Sequence, residues 1–207
     1  MLVSDVITDA KYGELRNLAV KDDDIAVISF INSAMIALYD RFKLKTKEQV
    51  IAMQDNVVEY DLNDDAMTVL AVYDENGDEF SINDETNLFG VFLPSYGTIQ
   101  VANPNAGANL GVVYLASPVR LTDVSEVVRI PPQLLEPMLH YIGYRAHGSV
   151  DGSIQAENNT HLMRYEAKCK SVEASGSIRK DVVPGHINMQ EGISEIDITY
   201  QEENLNG

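Results

Sequence analysis

The clearest periodic signal in the chain is a stripe of apolar residues at helical spacing. Ile28, Ile31, Met35, Leu38 and Phe42 follow one another at steps of three, four, three and four, which puts all five on one face of an α-helix. The run Asp22-Asp23-Asp24 supplies a cap and negative charge at its N-terminus, and Arg41 and Lys43 bring cations to its far end. A shorter helix is expected before it from Val3, Val6, Ile7 and Ala10, with Ser4 and Asp5 available as caps and Gly13 weakening or bending it.

From about Thr46 the period changes. Val50, Ala52, Val57, Tyr60, Leu62, Val69, Ala71 and Tyr73 fall in short segments divided by Asp and Asn clusters, the pattern of strands broken by turns. Asn76-Gly77, between Val69–Tyr73 and Phe80–Ile82, predicts a hairpin with a type I′ turn. A second hairpin is expected where Gly97–Ala102 and Leu110–Ala116 flank Asn103 to Gly107. Residues 46–128 therefore read as an inserted β unit of five to seven strands.

Ile130-Pro131-Pro132 ends the strands and opens a helix, because proline is tolerated in a first turn. Leu135, Met138, Leu139, Ile142 and Ala146 form its apolar face, and Gly148 to Gly152 reads as a turn. A last helix is expected over about 153–175, with Leu162, Tyr165, Cys169 and Val172 on one face and Ser175-Gly176 as its stop. Residues 176–207 form an extended C-terminal tail in which Ile193, Ile196, Ile198 and Tyr200 could make one strand. The tail has too little apolar surface to fold alone. The expected fold class is α+β. The N-terminal and C-terminal helix pairs, 1–45 and 129–175, form a four-helix unit, and 46–128 form an inserted antiparallel β unit.

Composition narrows this only a little. At 207 residues and 45% apolar content the chain is one domain with an insertion or two small ones. No uninterrupted apolar run approaches the ~18–20 residues of a membrane helix, and the first ten residues hold Asp5 and Asp9 without a basic region, unlike a secretion signal. The single cysteine, Cys169, has no partner for an internal disulfide.

Charge changes the picture more. The net charge is −17, so the chain is not expected to hold nucleic acid through phosphate contacts. Between Glu48 and Val119 there are twelve acids and no Lys or Arg. Three explanations stand open: a solvated β unit, a channel wall that repels sliding DNA, or a docking face for a basic partner. Asp61, Asp64, Asp65, Asp74 and Asp78 are the acids expected to face a channel or a partner.

Candidate chemistry is sparse. Asp74, Asn76 and Asp78 resemble the start of a calcium loop, but Gly77 precedes Asp78 instead of following it, which favours a plain hairpin. His140 and His147 lie two turns apart on one helix, about 10 Å, too far to ligate one metal together; His161 could join only through folding. Cys169 falls on an apolar stripe and reads as a core residue. Ser117, Asp123 and His140 carry no nucleophile elbow, and no phosphate loop occurs. No catalytic residue, metal ligand or cofactor is expected.

Two segments carry a resemblance. Ile130-Pro131-Pro132-Gln133-Leu134-Leu135, followed by Tyr141-Ile142-Gly143-Tyr144-Arg145-Ala146, resembles the C-terminal helix pair of tailed-bacteriophage head-to-tail adaptors. That family tends to read I-P-x-x-L into a helix, then Y-x-x-Y-R-A. Asn158, Tyr165 and Ala167 fit its second helix, and Phe30-Ile31-Asn32-Ser33-Ala34 is similar to its I-N-x-A helix.

The resemblance implies a non-enzymatic virion protein of the neck, made in the host cytoplasm. Such proteins assemble as a ring, commonly of twelve copies, under the portal protein. They extend the DNA channel and seat the tail nozzle or tube, and in some phages tail fibres; packaged DNA passes without specific binding, and no membrane is involved. A ring closes head to tail through heterologous interfaces. Tyr141, Tyr144 and Arg145 are interface candidates, Arg145 for its guanidinium fork and the tyrosines as aromatic anchors. Ile193, Ile196, Ile198 and Tyr200 are candidates to run along the portal or an adjacent copy. Competing readings are another phage neck or tail component, a carbohydrate-binding or adhesion module using Tyr60, Tyr73, Phe89, Phe92 and Tyr96, and a hydrolase.

Overall fold

The computed structural model describes residues 1–87, 89–150 and 155–178. Four α-helices and six strands follow in the order α1 (Val3–Tyr12), α2 (Asp24–Phe42), β1 (Thr46–Ala52), β2 (Glu59–Asp61), β3 (Ala66–Tyr73), β4 (Val91–Phe92), β5 (Thr98–Val101), β6 (Asn109–Ala116), α3 (Leu135–Val150) and α4 (Gln155–Ser175). The chain is α+β, with two small antiparallel sheets. It divides into two compact units, Met1–Leu44 with the described part of Pro118–Lys180, and Lys45–Ser117.

The first unit holds the helices. In α2 the side chain of Asp23 accepts a hydrogen bond from the Ala26 N–H at 3.0 Å, and Lys43 turns left-handed at φ 52° to end the helix. Its stripe of Ile28, Ile31, Met35, Leu38 and Phe42 is buried. By length and hydropathy α2 would suit a bilayer, yet this stripe is the spine of a core that also takes Val3, Val6, Leu134, Met138 and Ile142. In α1 the capping differs from expectation. Asp5 reaches back to the Leu2 N–H at 2.9 Å, whereas the N–H groups of Val3 and Ser4 donate to the carbonyls of Glu126 and Val124. Ser4 therefore needs no capping role. Helix α3 packs against α1, α2 and α4.

A 3₁₀ turn over Pro132–Leu134 leads into α3. This shifts the buried face by one residue, so Leu134 is fully enclosed and Leu135 only half-buried. Helix α3 runs through Gly148 to Val150. Gly148 therefore continues the helix instead of opening the expected turn.

The second unit holds both sheets, ordered β1-β6-β3 and β2-β5-β4. Ile51, Val72, Val91, Ile99, Val101, Leu110 and Val112, drawn from both sheets, share one apolar cluster. The expected hairpin of 97–102 with 110–116 does not form. β5 pairs with β2 and β4, while β6 lies between β1 and β3. The segment between β5 and β6 hands the chain from one sheet to the other: the Gly107 N–H donates to the Met53 carbonyl, and the Met53 N–H to that of Ala108, seating β6 on β1.

The turn after β3 also differs. Gly77 adopts φ 87° while Asn76 stays at negative φ, and the Gly77 N–H donates to the Asp74 carbonyl at 3.1 Å. This is a type I turn closed by a left-handed glycine, not a type I′ turn. The last strand ends at Ala116, twelve residues short of the expected limit of 128. Pro118 breaks the ladder, and Leu121 and Val128 are buried in the helical core instead.

Candidate functional site

The sequence-predicted interface residues on α3 divide by exposure. Arg145 is exposed, and Tyr141 and Tyr144 are half-buried. Tyr141 meets Tyr144 edge to face at 5.7 Å between ring centroids, and Tyr165 of α4 at 5.1 Å. Tyr141 is thus tied to the α3–α4 contact. Ile193, Ile196, Ile198 and Tyr200 lie outside the described residues.

The predicted acids also divide. Asp61, Asp64 and Asp78 are exposed. Asp65 pairs with Lys47 at 3.0 Å and accepts from the Tyr114 hydroxyl at 3.1 Å. Asp74 accepts from the N–H groups of Asn76 and Asp78, both at 2.8 Å, and from the Asn76 side chain. Partial burial opposes ionisation of Asp74, but these bonds outweigh it and hold the carboxyl below its ordinary range. Its oxygens bind the hairpin, as the plain-turn reading expects. Of the aromatics considered for sugar stacking, Tyr73 is buried, Tyr60 and Phe92 are half-buried, and Phe89 and Tyr96 are exposed.

Among the described residues, Arg41 has a guanidinium with a built set of partners. Its Nε donates to Glu173 at 2.9 Å and its Nη1 to Glu166 at 2.8 Å, joining α2 to α4. The group also lies 5.7 Å from the Tyr165 ring centroid. Burial alone would lower its pKa, but the two carboxylates raise it above the ordinary value. The sequence placed Arg41 only as a helix-end cation; its partners are more than 120 residues away in the chain.

Next to this knot, burial pushes the Cys169 thiol up to about 11, against the pull of Arg41. Burial likewise raises the Tyr165 phenol. Both pKa values are higher in the folded than in the unfolded chain. Their effect on stability is therefore absent below the unfolded values and destabilising as pH rises through them. Two outcomes are expected. Cys169 reacts with a thiol reagent at neutral pH far more slowly in the folded protein than in denaturant, read by absorbance of the released group. Stability falls between about pH 9 and pH 11, and Cys169→Ala flattens part of that fall.

A second polar cluster joins three helices' worth of chain. Gly13 turns the backbone after α1, and the Leu15 N–H bonds back to the Ala10 carbonyl. Fully buried Leu15 anchors this turn and presents Glu14 to α3 and α4. Glu14 Oε1 lies 3.0 Å from His140 Nδ1, and Oε2 lies 2.8 Å from His161 Nδ1. His140 Nε2 faces Glu136 at 3.9 Å, and Glu136 is held by Lys168 at 2.7 Å. His147 stacks on His161 at 4.7 Å between centroids and approaches the Glu14 carbonyl at 3.4 Å. Gly143 makes this convergence possible, because a Cβ there would sit 2.8 Å from His161 Nδ1 and 3.2 Å from the Glu14 Cβ.

Burial lowers the His161 pKa, with Glu14 opposing and His147, Arg164 and His140 reinforcing the fall. Glu14, His140 and His161 each offer one ligand atom, all within 4.8 Å of one another. From spacing alone, His140 and His147 are too far apart to share one metal, and His161 could join only through folding. The fold sets His140 and His161 each against one oxygen of Glu14, and Glu14 carries no periodic or motif signal that could have marked it.

The helical core, the β unit and the I-P-P and Y-x-x-Y-R-A segments all fall within the part of the chain that matches a known family. A search of the curated proteins finds no significant match. The model of the SU10 adaptor protein family matches residues 1–183, and the chain therefore belongs to that family of phage adaptors, structural components of the head–tail junction.

Proposed function

We propose that this protein is a non-enzymatic adaptor that assembles as a ring, of twelve copies, beneath the portal, extends the DNA channel and seats the tail. The observation that carries this reading is the family match over residues 1–183, which spans both helical segments and the β unit between them. On this reading the helical unit builds the ring wall. Exposed Arg145, with Tyr144 beside it, meets the neighbouring copy. Ile193, Ile196, Ile198 and Tyr200 run along the portal or an adjacent subunit. Asp61, Asp64 and Asp78 add to the acidic surface of the β unit, which repels the DNA backbone or docks a basic partner. Tail nozzle, tube or fibre proteins bind the completed ring.

The test is assembly on the portal. Negative-stain images of portal protein mixed with this chain are expected to show an added ring of density. Portal particles unchanged by excess chain would refute the reading. Arg145→Glu is expected to weaken ring formation at least about tenfold, about 1.4 kcal/mol, while far-UV circular dichroism stays unchanged. A variant that assembles as well as the parent would remove Arg145 from the interface.

A further inference from the structure

We propose that Glu14, His140 and His161 form a binding site for one divalent cation of the zinc class, pinning the turn after α1 to the α3–α4 pair. The three ligand groups come from three separate elements and bring two imidazole nitrogens and a carboxylate together. His140 is a buried residue, 8% exposed. The Nδ1 atoms of His140 and His161 are enclosed and make no hydrogen bond, although carboxylate oxygens lie only 3.0 and 2.8 Å away. Those oxygens therefore sit off the N–H direction. Two buried ring nitrogens that face a carboxylate without hydrogen-bonding to it are unsatisfied, a condition that folded proteins rarely leave standing.

A shared cation resolves both nitrogens at once. Ligands bonded at about 2.0–2.2 Å to one tetrahedral ion lie roughly 3.3–3.6 Å apart, so the two Glu14 oxygens, now 3.0 and 2.8 Å from the nitrogens, need to draw back only slightly, within a set whose ligand atoms already lie within 4.8 Å of one another. The donor set suits zinc and its neighbours, since magnesium and calcium favour oxygen ligands throughout. Three protein ligands leave a fourth position for water. The surroundings are those of a supported site: Glu136 faces the outer nitrogen of His140, His147 holds the His161 ring by stacking, and Gly143 keeps the space open. The proposal does not depend on ring assembly.

The test uses the full chain, stripped with a chelator and titrated with zinc chloride by isothermal calorimetry and thermal melting. Saturable binding of one zinc per chain is expected, with a raised melting temperature that magnesium chloride does not reproduce. Glu14→Gln and His161→Gln are each expected to weaken binding more than the about 10–100-fold typical of changes outside the ligand shell. Gly143→Ala is expected to weaken it by displacing His161. Because these variants alter a packed region, cobalt(II) is also added to the unaltered chain, where visible absorption of a four-coordinate nitrogen–oxygen site is expected. Absent zinc binding, absent cobalt bands, or zinc affinity unchanged in both Glu14→Gln and His161→Gln would each overturn the assignment.

Discussion

Phe42→Ala is expected to lower the unfolding free energy of the helical unit by about 3–5 kcal/mol. Phe42 closes the apolar stripe of α2 and is fully buried in the helical core. Removing its ring deletes a large buried surface and leaves a cavity that the surrounding helices fill only in part. It stands at the last position of α2, where left-handed Lys43 ends the helix, so the backbone there is already set and has little freedom to collapse inward. Urea unfolding followed by far-UV circular dichroism should show a lower midpoint at unchanged slope. Phe89 is the matched control. It is 74% exposed in the β unit, and Phe89→Ala should stay within about 0.5 kcal/mol of the parent. Equal midpoints for the two variants would mean that α2 is not the spine of the helical core.

Asn32→Ala is expected to cost about 2–4 kcal/mol through a different mechanism. Asn32 lies on α2, and its amide binds the backbone of Leu121 twice: Nδ2 donates to the Leu121 carbonyl and Oδ1 accepts from the Leu121 N–H, both at 2.8 Å. One side chain thus satisfies both main-chain polar groups of a residue that is only 4% exposed and lies outside the named strands. Truncation leaves that donor and that acceptor unpaired, and each such group costs about 1–3 kcal/mol. Asn32→Asp keeps the acceptor but sets a carboxylate oxygen against the Leu121 carbonyl, so it should not restore stability. Ser33→Ala separates this effect from helix composition, because the Ser33 hydroxyl bonds only the Ser29 carbonyl one turn back and its loss should be nearly neutral. If Asn32→Ala and Ser33→Ala unfold alike, the paired bonds contribute nothing. The I-N-x-A segment that looks like a family signature in the sequence thus has a physical reason for its asparagine.

Local order was legible in the sequence where one periodicity acts alone. The three-four spacing from Ile28 to Phe42 marks the α2 face, Asp23 marks its cap, and Asn76-Gly77 marks a reversal after β3. What could not be read is which distant segments meet. The runs over 97–102 and 110–116 look like two arms of one hairpin, but strand alternation specifies a face and not a partner, and each run joins a different sheet. The same holds for the polar groups. Arg145 stood out because it sits in a motif, whereas Arg41, with two carboxylates and an aromatic ring around it, looks in the sequence like any helix-end cation. Glu14 is a single acid in a turn. Only the close approach permitted at Gly143 gives it two histidine partners.

The β unit starts and finishes on paired neighbours. Thr46 stands opposite Leu115 in the β1–β6 ladder, and the Ala116 N–H donates to the Lys45 carbonyl at 2.8 Å. Entry and exit of this module are therefore one hydrogen bond apart. A segment whose two ends pair with each other can be lengthened, trimmed or exchanged as a cassette without re-threading the helices before and after it in the chain. The surface that the β unit presents is thereby free to change while the pairing of its two ends is kept.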